Sequence, residues 1–407
     1  MYKTCVIGAG AAGLIAAIEA STDRNETIII DKNKKAGMKL YATGNGRCNL
    51  ANMHMASSCY YGNSFATDIL GEDPSLFVTE YMNDLGIKCY DKNGYIYPRS
   101  NQASSVVWAL LDRLRKNSVT LKLGAEVGEI IESPDHYSVT DTNGNEICKA
   151  ENVILALGGY SSPKLGAASE SVTKHIFDSL KISVTPHKPA LCPVICSPDT
   201  MSKYNINDIS GVRSNARVTV KLKDGKEISE DGEVQFTDYG LSGIVIFDLS
   251  YYDDIDKIFL NVMTDIEKDC FIKDFLLQKN NCPSRTLLGF LNGYINDKLA
   301  AFIISSFCRL DTKQKLTETD VSAAETIYDK AVRLSFSYSS LYGYTHSQVT
   351  KGGISCENIE PETMSLMNRR GLFAVGEAVD VCGKCGGYNL MWAFRTGYIA
   401  GRSVINI

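Results

Sequence analysis

Gly8-Ala9-Gly10-Ala11-Ala12-Gly13 is the stretch whose spacing carries the most chemistry, a G-x-G-x-x-G run followed about twenty positions on by an acidic residue, Asp31. Glycines at that spacing permit a tight turn and a close backbone approach. Free N–H groups at the start of the following helix attract a pyrophosphate, and a carboxylate at the position of Asp31 accepts ribose hydroxyls. Gly8, Gly10, Ala11, Ala12, Gly13 and Asp31 are therefore the first candidates for holding a dinucleotide, and the motif by itself leaves FAD and NAD both open.

Two further segments have suitable residue types. Thr43-Gly44-Asn45-Gly46-Arg47-Cys48-Asn49 gathers backbone donors, a guanidinium and an amide, a set able to wrap anionic and carbonyl-rich parts of a nucleotide, with Arg47 as the leading charged contact. Gly387-Tyr388-Asn389 stands where the last helix begins, so its N–H groups and dipole can stabilise negative charge developing beside them. Cys382-Gly383-Lys384-Cys385 has the spacing of a redox dithiol, against the plainer reading of two small residues in a turn. The five histidines include no pair three or four apart, so no metal centre is expected. Tyr239 and Tyr388 are acid candidates by residue type and neighbourhood alone, and no catalytic residue is assigned.

The elements needed to position these groups are readable. Thr4–Ile7, Gly8–Gly13, Leu14–Ala20 and Thr27–Ile30 form strand, turn, helix and buried strand, a βαβ unit. Residues 32–55 predict a long functional loop. Helices are predicted near Leu76–Leu85 and Ser104–Arg115. Val119–Leu123, Val127–Ile131 and Tyr137–Thr140 predict a β-meander, with Asn143-Gly144 turning before Ile147 and a buried parallel strand at Asn152–Leu157. Prolines punctuate the chain after Ala190, and Arg217–Leu222 with Asp224-Gly225 reads as hairpin. Residues 266–327 turn helical, with a capping box at Thr317–Asp320, before a strand at Arg333–Tyr338. Leu372–Val375 and Leu390–Val404 read as a strand and a closing helix. The fold class expected is α/β: a Rossmann-like domain built from both chain ends (1–190 and 345–407), interrupted by a β-rich insert (191–265 with 331–344) and a small helical subdomain (266–330).

Leu155-Ala156-Leu157-Gly158-Gly159 and the run Gly371–Asp380 resemble marker segments of the two-dinucleotide-binding flavoproteins. Longer strings resemble the YhiN/BaiN family of flavoproteins: Gly37-Met38-Lys39-Leu40 with Thr43–Asn49, then Gly232–Gly243, then Gly386-Gly387-Tyr388-Asn389-Leu390. The resemblance implies FAD, and adds Lys32, Lys39, Thr43, Gly44, Asn45, Arg47, Cys48, Asn49, Val127, Gly158, Gly376, Asp380, Gly387, Tyr388, Asn389 and Leu390 to the expected cofactor contacts. It also implies two activities: reduction of conjugated C=C bonds in 3-oxo bile-acid-type steroids, ranked first with NAD(P)H as a diffusible donor, and oxidation of small amines such as aminoacetone. A non-catalytic flavin sensor is the alternative outside catalysis. The sequence departs from the family at Gly166-Ala167-Ala168-Ser169-Glu170-Ser171, which replaces a Gly-Ser-Thr-Gly-Asp-Gly-like run, and at the cysteine pair.

Composition narrows the classes. A net charge of −5 and a pI near 5.7 give no broad positive field, so a small-molecule substrate is expected and nucleic acid is not. Apolar runs such as Gly243–Leu249 are too short to span a membrane, and Met1-Tyr2-Lys3 leads straight into a strand with no signal peptide, so a cytoplasmic location is expected. Thirteen scattered cysteines suit a reducing compartment. Oligomeric state is left open.

Overall fold

The computed structural model describes residues 1–22, 25–61 and 64–405. They fall into two compact units, Met1–Pro189 with Ser347–Ile407, and Ala190–His346.

The first unit holds strands β1 (Tyr2–Ile7), β2 (Thr27–Asp31), β3 (Ala51–Asn52), β4 (Cys89–Lys92), β5 (Tyr95–Pro98), β6 (Thr120–Leu123), β7 (Val127–Glu132), β8 (Tyr137–Asp141) and β9 (Glu146–Leu155). Its main sheet runs β6-β2-β1-β9-β8-β7, with Leu372–Ala374 also paired to β9. The parallel part is apolar on both faces: Val6, Ile28 to Ile30 and Val153 to Leu155 are all buried, as expected of a sheet covered on both sides. Val119–Leu123 is therefore not a meander strand. The segment forms β6, parallel to β2 at the sheet edge, and the meander is β7-β8-β9, turning at Gly144 with φ +82°.

β9 does two jobs in sequence. Through Glu146–Ala150 it pairs antiparallel with β8, through Ala150–Leu155 parallel with β1, and through Val153–Leu155 parallel with Leu372–Ala374. The register sets Cys5 beside Val153, yet Cys148 Sγ lies 3.8 Å from Cys5 Sγ, so β9 bends and the meander folds over the sheet.

The glycine turn is locked by contact with its neighbours. Gly8 has φ +110° and a Cβ there would meet the Ala156 carbonyl oxygen at 2.1 Å; at Gly13 the Gly8 carbonyl oxygen would be met at 1.9 Å. The first helix (Ala11–Ala20) then packs against the closing helix (Tyr388–Ser403) through two glycines four apart. Cβ atoms at Gly397 and Gly401 would reach the carbonyls of Ala12 and Ala16 at 2.3 and 2.5 Å, so only glycine lets the helices approach this closely. A small sheet, β3-β5-β4, sits beside this core.

The second unit is a closed barrel ordered Val194–Cys196, Gly240–Ser242, Glu227–Thr237, Arg213–Leu222, Ile255–Asn261 and Leu334–Leu341. Val218, Val220, Phe236, Leu260 and Phe336 fill it, and Phe271, Phe275 and Phe290 from the helices after Asn261 join the same apolar cluster. The helices and the barrel thus share one core. The capping box at Thr317–Asp320 does not form: Leu316–Glu318 is a 3₁₀ turn, and the helix Val321–Ala331 starts after Asp320 with no side-chain cap.

Candidate functional site

Everything that could cradle a dinucleotide lies in the first unit. At the end of β2 the Asp31 carboxylate is fixed by two backbone donors, Ala9 N–H to Oδ2 and Asn33 N–H to Oδ1, both at 2.7 Å. A carboxylate has about four acceptor sites, so both oxygens retain capacity for ribose hydroxyls. Asp31 lines a cavity of about 70 Å³ together with Gly8, Lys32, Val127, Gly166, Ala168 and Ser169, among others. Lys32 makes an ion pair of 3.8 Å with Glu126 at its rim. Gly166 is held there by Asn33, whose Nδ2 donates to its carbonyl at 3.1 Å. The sequence reading nominated Asp31, Lys32 and Val127 here but missed Asn33, Gly166, Ala168 and Ser169. In the sequence Gly166–Ser171 stands out only as a stretch that departs from the pattern the rest of the chain resembles.

Gly10 is the residue that tests whether a cofactor fits. Its φ of −84° is open to any residue, and a Cβ there would meet nothing within 4 Å. Neither strain nor packing within the protein demands glycine, and the open space adjoins the N-terminus of the first helix, where this motif receives a pyrophosphate.

The loop after Gly37 is a short helix, Met38–Ala42, then a 3₁₀ turn, Thr43–Gly46. Gly44, Asn45, Gly46 and Cys48 all have positive φ, between 55° and 82°, which curls the backbone tightly. Within it Thr43 Oγ1 donates to the Leu40 carbonyl at 2.7 Å, and Arg47 Nε donates to the Gly44 carbonyl at 3.2 Å. Burial pushes the Cys48 thiol up to about 11, so it is a neutral packing group. Asn49 Oδ1 is buried and has no hydrogen-bond partner among the described residues. Such an acceptor is rare in a folded chain and marks a place where a ligand donor is missing. Together with Gly10 it says that the residues present fit FAD.

Glu377 ties the segments together. Its Oε2 pairs with Lys39 Nζ at 2.9 Å, and its Oε1 accepts the Thr350 N–H at 2.7 Å. Thr350 Oγ1 in turn accepts the N–H of Tyr160, at 2.8 Å, and of Ser161, at 3.1 Å, just after Gly158, which has φ +70°. Gly376, φ +63°, packs on Ala12 of the glycine turn and is held by Thr396 Oγ1 and Trp392 Nε1. Asp380 Oδ1 accepts the Gly352 N–H at 3.0 Å. Neither Glu377 nor Thr350 was nominated from sequence, although Glu377 stood inside the marker run Gly371–Asp380.

At the closing helix, Gly387 has φ +103° and presses on Ala51. The Tyr388 hydroxyl donates to the His54 carbonyl at 2.6 Å, and the Tyr388 carbonyl accepts the Tyr60 hydroxyl at 2.7 Å. In this arrangement the Tyr388 hydroxyl proton is engaged by the fold. Asn389 bonds Gly383 with both ends of its amide, closing the Cys382–Cys385 turn; Leu390 follows, half-buried, in the first turn of the helix. The two cysteines are not joined in a disulfide. Tyr239 is in the second unit, with its ring against Tyr342 at 4.5 Å. Among the described residues no cluster of metal-ligating side chains is found, and no helix is long and apolar enough to cross a membrane.

A βαβ glycine turn with an acidic second strand, a meander folded over the sheet and a returning C-terminal strand define a Rossmann-like FAD-binding domain. The sequence model described as HI0933-like protein Rossmann domain matches residues 2–403, and the chain belongs to that family, the YhiN/BaiN-type flavoproteins its motifs resemble. It is an FAD-dependent oxidoreductase. The 3-dehydro-bile acid delta(4,6)-reductase of Clostridium scindens is 32% identical over 416 residues, covering 99% of each chain. The ribosomal RNA dihydrouridine synthase of Escherichia coli is 25% identical over 410 residues, covering 99% of this chain and 98% of its own. Among solved structures, the 3-ketosteroid-delta4-(5alpha)-dehydrogenase of Rhodococcus jostii RHA1 aligns with a TM-score of 0.47 at 13% identity, over 98% of this chain and 96% of its own.

Proposed function

We propose that this enzyme reduces a carbon–carbon double bond conjugated with a ring ketone in a 3-oxo steroid of bile-acid type, with NAD(P)H as electron donor. The observation that carries the reading is the 32% identity with a bile acid reductase over 99% of both chains. FAD, when bound, supplies the hydride chemistry. The chain's own groups hold and orient it: Asp31 for the ribose, the Gly10–Gly13 N–H groups for the pyrophosphate, Asn49 and Arg47 for polar edges, and the N-terminus of the closing helix for developing negative charge. Lys39 and Glu377 fix the loops around it.

A second reading rests on the Escherichia coli relative and a Haemophilus influenzae one of the same name, 24% identical over 99% of this chain. Dihydrouridine differs from uridine by two hydrogens across a ring C=C conjugated with a carbonyl, so the two readings share one bond type and differ in what carries it. Residues 190–346 contain 17 Lys and Arg against 22 Asp and Glu, an acidic insert that disfavours a polynucleotide and ranks the small molecule first.

The test is anaerobic stopped-flow reduction of the yellow protein by NADH and by NADPH, then mixing with a 3-oxo-4-ene steroid acid or oxygen. Reoxidation faster by the enone than by oxygen supports the reading. Reduction by an aminoketone alone, with peroxide released on adding oxygen, replaces it with amine oxidation.

A further inference from the structure

The small sheet β3-β5-β4 has one face built into the protein and another whose own residues are not among the nominated cofactor contacts. Ala51, Ile96 and Pro98 point inward and are buried. Alternation puts their neighbours on the other face. There Tyr90 stands opposite Tyr97, Lys92 opposite Tyr95, and Asn52 on the far side of Tyr95. The Tyr90 and Tyr97 rings lie 6.1 Å apart and inclined by only 33°, and Tyr95 is 36% exposed.

This face touches both glycine segments. The Arg47 guanidinium sits 5.3 Å from the centre of the Tyr97 ring. A Cβ on Gly44 would come within 3.4 Å of the Tyr97 ring, and one on Gly386 within 2.9 Å of the Tyr95 ring. Asn52 Nδ2 donates to the Gly386 carbonyl at 3.0 Å. The hairpin is also locally basic, carrying Lys88, Lys92 and Arg99 against Asp91 alone, whose carboxylate already accepts the Gly94 N–H at 2.6 Å.

We infer that the Tyr90-Tyr95-Tyr97 face of the β4–β5 hairpin is the platform on which the substrate ring lies, with Lys92 receiving an anionic side chain. The occupant is a flat cyclic enone bearing a carboxylate. Ring faces take an unsaturated ring without demanding a hydrogen-bond pattern, the cation at the hairpin edge complements the acid, and the contacts with Gly44 and Gly386 put that ring beside the segments that hold the cofactor. The inference rests on the reductase reading and names the residues that give it specificity.

The experiment is calorimetric titration of the oxidised holoenzyme, without electron donor, using a 3-oxo-4-ene steroid carboxylic acid and its methyl ester. Tyr95→Leu weakens both ligands about tenfold, a typical loss for one stacking contact, while Tyr95→Phe keeps wild-type affinity. Lys92→Gln weakens the acid roughly fivefold and leaves the ester unchanged, and that difference shrinks in high salt. FAD content stays at the wild-type level in all three. Wild-type binding with no change in Tyr95→Leu or Lys92→Gln overturns the platform while the reductase reading survives. Absence of steroid binding in the wild type, with a uridine-containing single-stranded RNA bound instead through the same tyrosines, overturns both the reductase reading and the occupant named here.

Discussion

Replacing Gly10 by alanine separates a cofactor cradle from a structural turn. The added methyl meets no protein atom within 4 Å and the backbone is at φ −84°, so the apoprotein tolerates it. Alanine is a poorer helix N-cap than glycine by about 1 kcal/mol, and the lost chain freedom of the unfolded state returns about 0.4–1 kcal/mol, so the net change in stability is close to zero. On the ligand side the methyl occupies the space of a phosphate oxygen. Displacing the pyrophosphate breaks about two charged hydrogen bonds to the helix N-terminus, about 1.5–3 kcal/mol each, or roughly a hundred- to ten-thousandfold in affinity. The assay pairs thermal melting of the apoprotein with FAD titration followed by flavin fluorescence. Gly13→Ala is the control, since its methyl would fall 1.9 Å from the Gly8 carbonyl oxygen and must unseat the turn even without FAD. Unchanged FAD affinity in Gly10→Ala, or a melting point that drops as in Gly13→Ala, refutes the cradle.

Glu377→Gln removes the 2.9 Å pair with Lys39 and weakens the acceptor of the Thr350 N–H; the half-exposed pair is worth about 1 kcal/mol, so FAD retention through gel filtration falls modestly while the melting point moves little. Trp392→Phe deletes the indole donor to the buried Gly376 carbonyl and costs about 1–3 kcal/mol in chemical denaturation. Cys48 stays unlabelled by iodoacetamide at pH 8 while the exposed Cys270 reacts, as peptide mapping will show. With its folded pKa near 11, raised above the ordinary thiol, the burial of Cys48 favours folding below about pH 9 and that contribution is lost as pH rises further, so the melting point declines on the alkaline side. Tyr388→Phe breaks the bond to the His54 carbonyl and lowers stability by about 1–2 kcal/mol, as chemical denaturation will show, while the FAD content of the purified protein is unchanged.

The parts of the fold that were legible are those governed by short-range rules. The turn Gly8–Gly13, the buried strands around it and the closing helix follow from glycine spacing and apolar runs within one window of sequence. Val119–Leu123 misled because periodicity gives strand character and not partner: its alternation suits a meander, but pairing with Ile28–Asp31 places it at the parallel edge. The capping pattern at Thr317 failed because Leu316 is buried in the shared core and holds the chain in a 3₁₀ turn there. At the site, Asp31 and Arg47 were visible by type, whereas Thr350 has its role only through Glu377 and the amides of Tyr160 and Ser161, contacts spanning up to 190 residues. Tyr388 was an acid candidate by residue type and neighbourhood alone, with no catalytic role assigned, and its hydroxyl is found donating to the His54 carbonyl.

The β4–β5 hairpin went unremarked for a related reason. Its turn carries a plain signal, Asn93-Gly94 with φ of +54° and +85°, flanked by alternating Tyr90, Tyr95 and Tyr97. A whole-chain charge of −5 argued against a polyanionic partner, but that figure is an average over a neutral first unit and an acidic insert, and it conceals three cations against one anion within residues 88–99. Screening confines exposed charges to about 8–10 Å, so a ligand at the hairpin senses the charges beside it, Lys92 and Arg47, more than the net charge of the chain. Under the platform proposed above, local charge next to ring faces, rather than net charge, sets which acids are bound.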